Sequence, residues 1–436
     1  MDRRQRVGED RKQPWPPTRL VAGVGGAIGF CILGDSLLYS ILPLEAANLG
    51  IGLPLVGLLL SVNRLVRLAS NTWASTLYER MGPRRPFLAA VAVGLLSTWV
   101  YGLGMGFAAF LAARMAWGIA WSALRQGGYQ AVWSGPTSAK GRLTGLLWGL
   151  VRLGSAVSVL GGGYLYDLVG YRNTLWVVTG VTALAVPLAY QLRWPPFSPA
   201  RGRPPAQTAT PVPVSPGTAL GRRLAQVRTS LGLALALPAQ RWLIVAAFFE
   251  YLLSGVVIST TSLFLASRME LEGGALLLGA GVATVTGLLH GTRWLTDLAL
   301  GPGVGALSDR FGQANTALTI AGVLLLGIAG AVLLPLPLAI FSLLLTLMGD
   351  GALHIVMSAA ATGAATGAPR PHLFIGVFTT TGDAGSALGP LLAYSGGTWV
   401  GLPTMYLAIA VALLAVVVRF WSLSPAMARA ARPAPE

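Results

Sequence analysis

The residues able to do chemistry in this chain are charged side chains set inside long apolar runs. Asp35 interrupts the run 20–43, Arg64 and Arg67 the run 52–76, Arg114 and Arg125 the run 107–131, and Arg152 the run 143–165. In the second half Glu250, His290, Arg293, Asp297, Asp350, His354 and Asp383 do the same. A charge held away from water is expensive, so it faces a cavity or a partner. A carboxylate beside a guanidinium can alternate between the ion pair and a protonated, released form, which is a way to exchange protons. Asp35 lies about 8 residues before the end of its run and Arg114 about 7 after the start of its own, which at roughly 1.5 Å per residue puts both at one depth. An Asp35–Arg114 pair is therefore expected, either as a proton-exchanging group or as a static prop. Asp350 and His354 are spaced i, i+4 and share one helix face. With His290 they form a candidate proton relay, the alternative for each being a histidine satisfied within the core.

Other chemistry is missing. There is no GxxxxGK[ST] phosphate loop, no G-x-S-x-G elbow and no HExxH, so neither ATP hydrolysis nor an enzymatic activity is expected. Three His and one Cys, Cys31, exclude an internal disulfide and argue against a metal site. No cofactor is expected.

The elements that must position these charges follow from composition. Of 436 residues 54% are hydrophobic and only 11% charged, with mean hydropathy +0.65. Soluble domains carry about 25% charged residues, so a soluble enzyme and a disordered chain are both excluded. Twelve apolar runs, near 20–43, 52–76, 86–106, 107–131, 143–165, 174–193, 241–265, 275–300, 314–335, 337–362, 372–395 and 401–421, are each about the length of a bilayer-spanning helix. They are too long, and alternate too little, for barrel strands. The fold class is an all-α polytopic membrane protein.

The net charge of +16 does not indicate nucleic acid, because the basic residues sit between the runs, where they set orientation. They crowd the tail 1–19, the loop with Arg80, Arg84 and Arg85, the linker and the C-terminal tail. Both termini are thus expected in the cytoplasm, with the chain in the inner (plasma) membrane. The first run of about 24 residues is too long for a cleaved signal. The expected organisation is a tail 1–19, a bundle 20–193, a Pro/Arg-rich linker 194–240, a bundle 241–421 and a tail 422–436. Within the linker, residues 217–239 read as a surface helix or as part of a disordered whole.

The halves repeat. Residues 63–82 align without a gap on 293–312, matching Glu79, Arg80 and Gly82 to Asp309, Arg310 and Gly312. At a shift of 231, Gly145 falls on Gly376, Gly154 on Gly385 and Ser155 on Ser386. Such a repeat argues for two bundles about a pseudo-two-fold axis with a site between them.

Three motifs carry a resemblance. Ser75, Glu79, Arg80, Gly82, Arg84 and Arg85 resemble the G-x-x-x-D-R-x-G-x-R-R loop of the major facilitator superfamily, repeated as Gly305, Asp309, Arg310 and Gly312. The stretch R-M-A-W-G-I-A-W-S-A from Arg114 is similar to that family's fourth-span motif. Gly145, Gly154, Gly162 and Gly163 are similar to its fifth-span motif, with Ser158-Val159 in place of Gly-Pro; run 11 keeps Gly389-Pro390. The motif content is closest to the bacterial 12-helix drug/proton antiporter-like group. The resemblance implies twelve transmembrane helices in two six-helix bundles and alternating access. It implies a small-molecule substrate, protons as coupling ion and a monomer in the lipid bilayer. Efflux of a small amphiphile is the leading expectation. Import or facilitated passage of an organic anion is the alternative, and a transport-inactive scaffold the remote one. The loop acids and arginines are expected to latch a gate, and Gly145, Gly154, Gly162, Gly163, Gly376, Gly385 and Gly389 to pack helices closely. In that fold span 2 meets span 11 and span 5 meets span 8. That permits the ion pairs Arg67–Asp383 and Arg152–Asp297; otherwise Arg67 and Arg152 face the cavity as anion-binding groups.

Overall fold

The computed structural model describes residues 13–136, 139–196, 238–272, 280–366 and 371–430. Among them there is no strand. The helices are α1 (Pro17–Cys31), α2 (Leu33–Glu45), α3 (Leu53–Met81), α4 (Arg84–Leu103), α5 (Phe107–Trp133), α6 (Lys140–Ala183) and α7 (Ala185–Gln191) in the first half. The second half holds α8 (Pro238–Glu272), α9 (Val282–Phe311), α10 (Gln313–Leu333), α11 (Leu336–Thr366), α12 (Pro371–Val400) and α13 (Leu402–Ala430). Only helices satisfy every backbone group locally over such apolar lengths.

Twelve spans result. α1 and α2 are one span broken after Cys31. α6 is two spans joined at Gly170, where φ 76° and ψ 175° reverse the chain; α7 ends the second of them. That φ > 0, extended combination is open essentially to glycine alone. Gly82 (φ 72°, ψ 174°) and Gly312 (φ 86°, ψ 137°) do the same at the equivalent ends of α3 and α9. α13 runs on to Ala430, through much of the expected tail. Most of the linker, including most of 217–239, lies outside the described residues.

Nine helical segments are long and apolar enough to cross a membrane, one of them, Arg142–Gln191, being the two spans joined at Gly170. The two spans short of that standard are α9 and α12. They are also the two that pack most extensively on the first half, α3 on α12 and α6 on α9, with α2 meeting α8 as well.

Backbone-to-backbone approach sets the packing within each half. Gly154 lies on the Gly29 backbone, Gly385 on the Phe248 carbonyl and Gly389 on Gly255, while Gly162 lies under the Leu37 side chain. Gly163 packs across the seam on the Ala283 carbonyl. Gly145 and Gly376 differ from the expected close packing: a Cβ there would meet no atom within 4 Å. Both sit toward the end that carries Trp15 and Arg193, joined by a backbone bond of 3.0 Å. This is the terminal side, and the opposite one the distal side.

The seam is closed distally. Asp167 accepts from the Thr284 backbone N–H (2.7 Å) and hydroxyl (2.5 Å). Gly287 meets the Val159 carbonyl, Gly291 meets Leu160, and Gly57 meets Pro390 and Tyr394. Toward the terminal side Gly303 and Gly305 join Gly145 and Gly376 in facing open space. Across α6 and α9 the halves also meet nearer the terminal side, Gly149 against Leu298 and Arg152 against Asp297.

Candidate functional site

The first-half site is built on Arg114, whose side chain is 0% exposed. Gly118, one turn along α5, sits directly on the Asn63 backbone, which draws α5 onto α3. That approach lets Arg114 Nε donate to the Leu59 carbonyl at 2.8 Å. Its remaining donors reach the Asp35 carboxylate on α2, the Tyr39 hydroxyl (3.4 Å) and the Leu60 carbonyl (3.5 Å). Asn63 donates to the same Asp35 oxygen at 3.2 Å. Asp35 keeps 15% exposure, so the carboxylate, not the guanidinium, is the member water can reach.

Tyr39 extends this site to the seam. The guanidinium of Arg114 lies 5.6 Å from its ring centroid and that of Arg64 5.4 Å from it. Arg64 crosses between halves and donates to the Ser386 carbonyl at 2.6 Å and to its hydroxyl. Sequence reasoning placed Arg64 in the membrane, Tyr39 among aromatics able to line a pocket and Ser386 in the repeat, but gave Tyr39 and Ser386 no polar role and missed Asn63. The signal available was that Tyr39 lies one helical turn beyond Asp35, and Asn63 next to Arg64.

The second-half site joins α8, α9 and α11. Arg293 pairs with Asp350 at 2.5 Å, and Ser254 donates to the same oxygen at 2.9 Å. His354 Nδ1 lies 3.4 Å from Glu250, with the His ring 5.0 Å from Tyr251. Glu250 Oε2, Asp350 Oδ1 and Arg293 Nε are buried without a protein partner, leaving capacity for water or a proton. Asp350 and His354 share a helix face but take separate partners. His290 joins neither; it lies 3.4 Å from the Ser40 hydroxyl across the seam.

The two pseudo-symmetric pairs behave differently. Arg152 meets Asp297 at 2.5 Å across the seam, with Trp294 packed under both Arg152 (5.8 Å) and Arg293 (4.8 Å). Gly351 abuts the Asp297 carboxylate, so a larger residue there would displace it. Arg67 and Asp383 make no contact pair; Arg67 Nε is buried and unpartnered. The loop residues are apart as well. Glu79, Arg80, Arg84, Arg85, Asp309 and Arg310 are exposed, Arg84 stacking on Tyr190 and Arg310 on Phe311. No ion pair joins them among the described residues. No His, Cys, Asp and Glu grouping among the described residues has the form of a metal site.

The family model of the Major Facilitator Superfamily matches residues 24–297. The chain belongs to the major facilitator superfamily. It is a multi-pass membrane transporter, not an enzyme. Solved structures share the fold at low identity. A peptide transporter POT in complex with sulfate superposes with TM-score 0.71 at 12% identity, covering 99% of both chains. The nucleoside transporter NupG gives 0.70 at 12%, over 93% of this chain and 99% of that one. A bacterial homologue of the human lysosomal transporter Spinster, inward-facing and occupied, gives 0.68 at 14%, over 97% and 100%. No curated protein matches the sequence. The expected tie to drug/proton antiporters finds no support in these relatives.

Proposed function

We propose that this chain is a proton-coupled secondary transporter of a small amphiphilic molecule, working by alternating access with the terminal side in the cytoplasm. The observation that carries the reading is Asp35, a partly accessible carboxylate held by a fully buried arginine. Protonation releases one of Arg114's contacts, and Tyr39 links that guanidinium to the Arg64–Ser386 bond between the halves. A proton thus acts on the seam. The Arg distribution supports cytoplasmic termini in an inner (plasma) membrane, which makes the present arrangement inward-facing. A monomer suffices, because both halves of the site come from one chain. Efflux is the leading direction. Import is the second reading, favoured by relatives that are nucleoside and peptide transporters.

Proteoliposomes with an internal pH dye, given cationic, zwitterionic and anionic compounds, test the proposal. Compound-triggered proton flux in wild type, lost in Asp35→Asn, is expected, and its sign separates export from import. Substrate movement without proton movement in either protein overturns the coupling.

A further inference from the structure

Within the middle turns of the spans nearly every charge has a partner. Arg114 holds Asp35, Arg152 holds Asp297, Arg293 holds Asp350, His354 faces Glu250 and Arg64 reaches Ser386. Arg67, Arg125 and Asp383 remain, with no ion pair or hydrogen bond among the described residues. A charge at membrane depth without a protein partner needs water or a ligand.

Their placement is informative. α3 and α12 run antiparallel along the seam, with Gly57 against Pro390 and Arg64 against Ser386. The next turn toward the terminal side brings Arg67 level with Asp383, where α3 and α12 make no polar contact, while the pseudo-symmetric Arg152–Asp297 pair stays closed between α6 and α9. Arg125 lies one turn past Ser122, whose hydroxyl bonds Asn71 on α3 at 2.7 Å. It therefore sits terminal to Arg67 on the same half. On the α3–α12 side this level has cations on one wall and an acid on the other, and Arg67 Nε is buried with nothing to bond.

We infer that Arg67 and Asp383 are the two poles of the substrate site, and that the cargo is a small zwitterion. Arg67, with Arg125 below it, takes a carboxylate or similar oxyanion in the geometry guanidinium favours; Asp383 takes an ammonium. This rests on the transporter reading above and narrows its substrate class. The rival arrangement closes Arg67 directly on Asp383 as a lock between the halves, with no place for cargo.

The test is thermal unfolding of the full chain in lipid nanodiscs, with no ion gradient. The probes are free amino acids and dipeptides, each beside its N-acetylated and its amidated form. At least one zwitterion is expected to raise Tm, with both blocked forms at least about ten-fold weaker, or about 1.4 kcal/mol. Arg67→Gln should abolish the response and Arg67→Lys restore part of it. Asp383→Asn should reduce zwitterion affinity to that of the acetylated form. Silence from every zwitterion, or a response indifferent to both substitutions, overturns the inference. So does protection of Asp383→Cys, in a Cys31→Ser background, from membrane-impermeant thiol reagents added to either face. Zwitterion binding in nanodiscs with no compound-triggered proton flux from wild-type proteoliposomes removes proton coupling and leaves the zwitterion site standing.

Discussion

Arg114 shows how a single residue organises the first half. Its guanidinium is sealed from solvent and depends on Asp35 for its charge partner. Removing one member of a buried pair costs about 3–5 kcal/mol, because the other charge stays behind. Asp35→Ala is therefore expected to lower Tm in detergent sharply, and the double variant Asp35→Ala/Arg114→Leu to recover much of the loss. Equal Tm for the two would mean that Arg114 is held by its carbonyl bonds alone. The Asp35–Arg114 contact was legible because both residues lie in one bundle at depths set by counting. The Arg293–Asp350 and His354–Glu250 contacts were not. They depend on the rotation of α9, α11 and α8 about their axes, which an apolar run does not encode.

At the scale of elements, small residues decide how closely helices approach. Gly154 rests on the Gly29 backbone and Gly389 on Gly255, whereas Gly145 and Gly376 meet nothing within 4 Å. Gly154→Val should force the α1–α6 contact apart and cost about 1–3 kcal/mol. Gly376→Ala should be neutral, or stabilising by up to about 1 kcal/mol through helix propensity. Thermal unfolding of the pair measures both, and an equal loss in each would place Gly376 in a packed face. The repeat made Gly145 equivalent to Gly376 and Gly154 to Gly385 in sequence. It did not separate packed from open ones, because that distinction depends on the tilt between bundles. The same limit explains Arg67 and Asp383. Symmetry names the facing helices, while the separation at each level changes with the state of the molecule.

At the scale of the whole molecule, the distal closure rests on few polar contacts. Asp167, from the first half, caps the first turn of α9 in the second through the Thr284 N–H and hydroxyl. Loss of a helix cap costs about 1 kcal/mol, so Asp167→Ala should shift the balance toward distal opening by about five-fold. Spin-label distances across the distal ends would register that shift, and an unchanged distribution would show that the glycine contacts alone hold the seam.

The central claim is that protonation of Asp35 governs how the halves tilt about this seam. Double electron–electron resonance tests it directly, with labels at Met81 and Phe311, exposed terminal-side residues of opposite halves, in a Cys31→Ser background. A long-distance population whose share changes between acidic and alkaline pH is expected in the wild type, and a distribution fixed across the same range in Asp35→Asn. A pH response undiminished by Asp35→Asn, or none in the wild type, would contradict it.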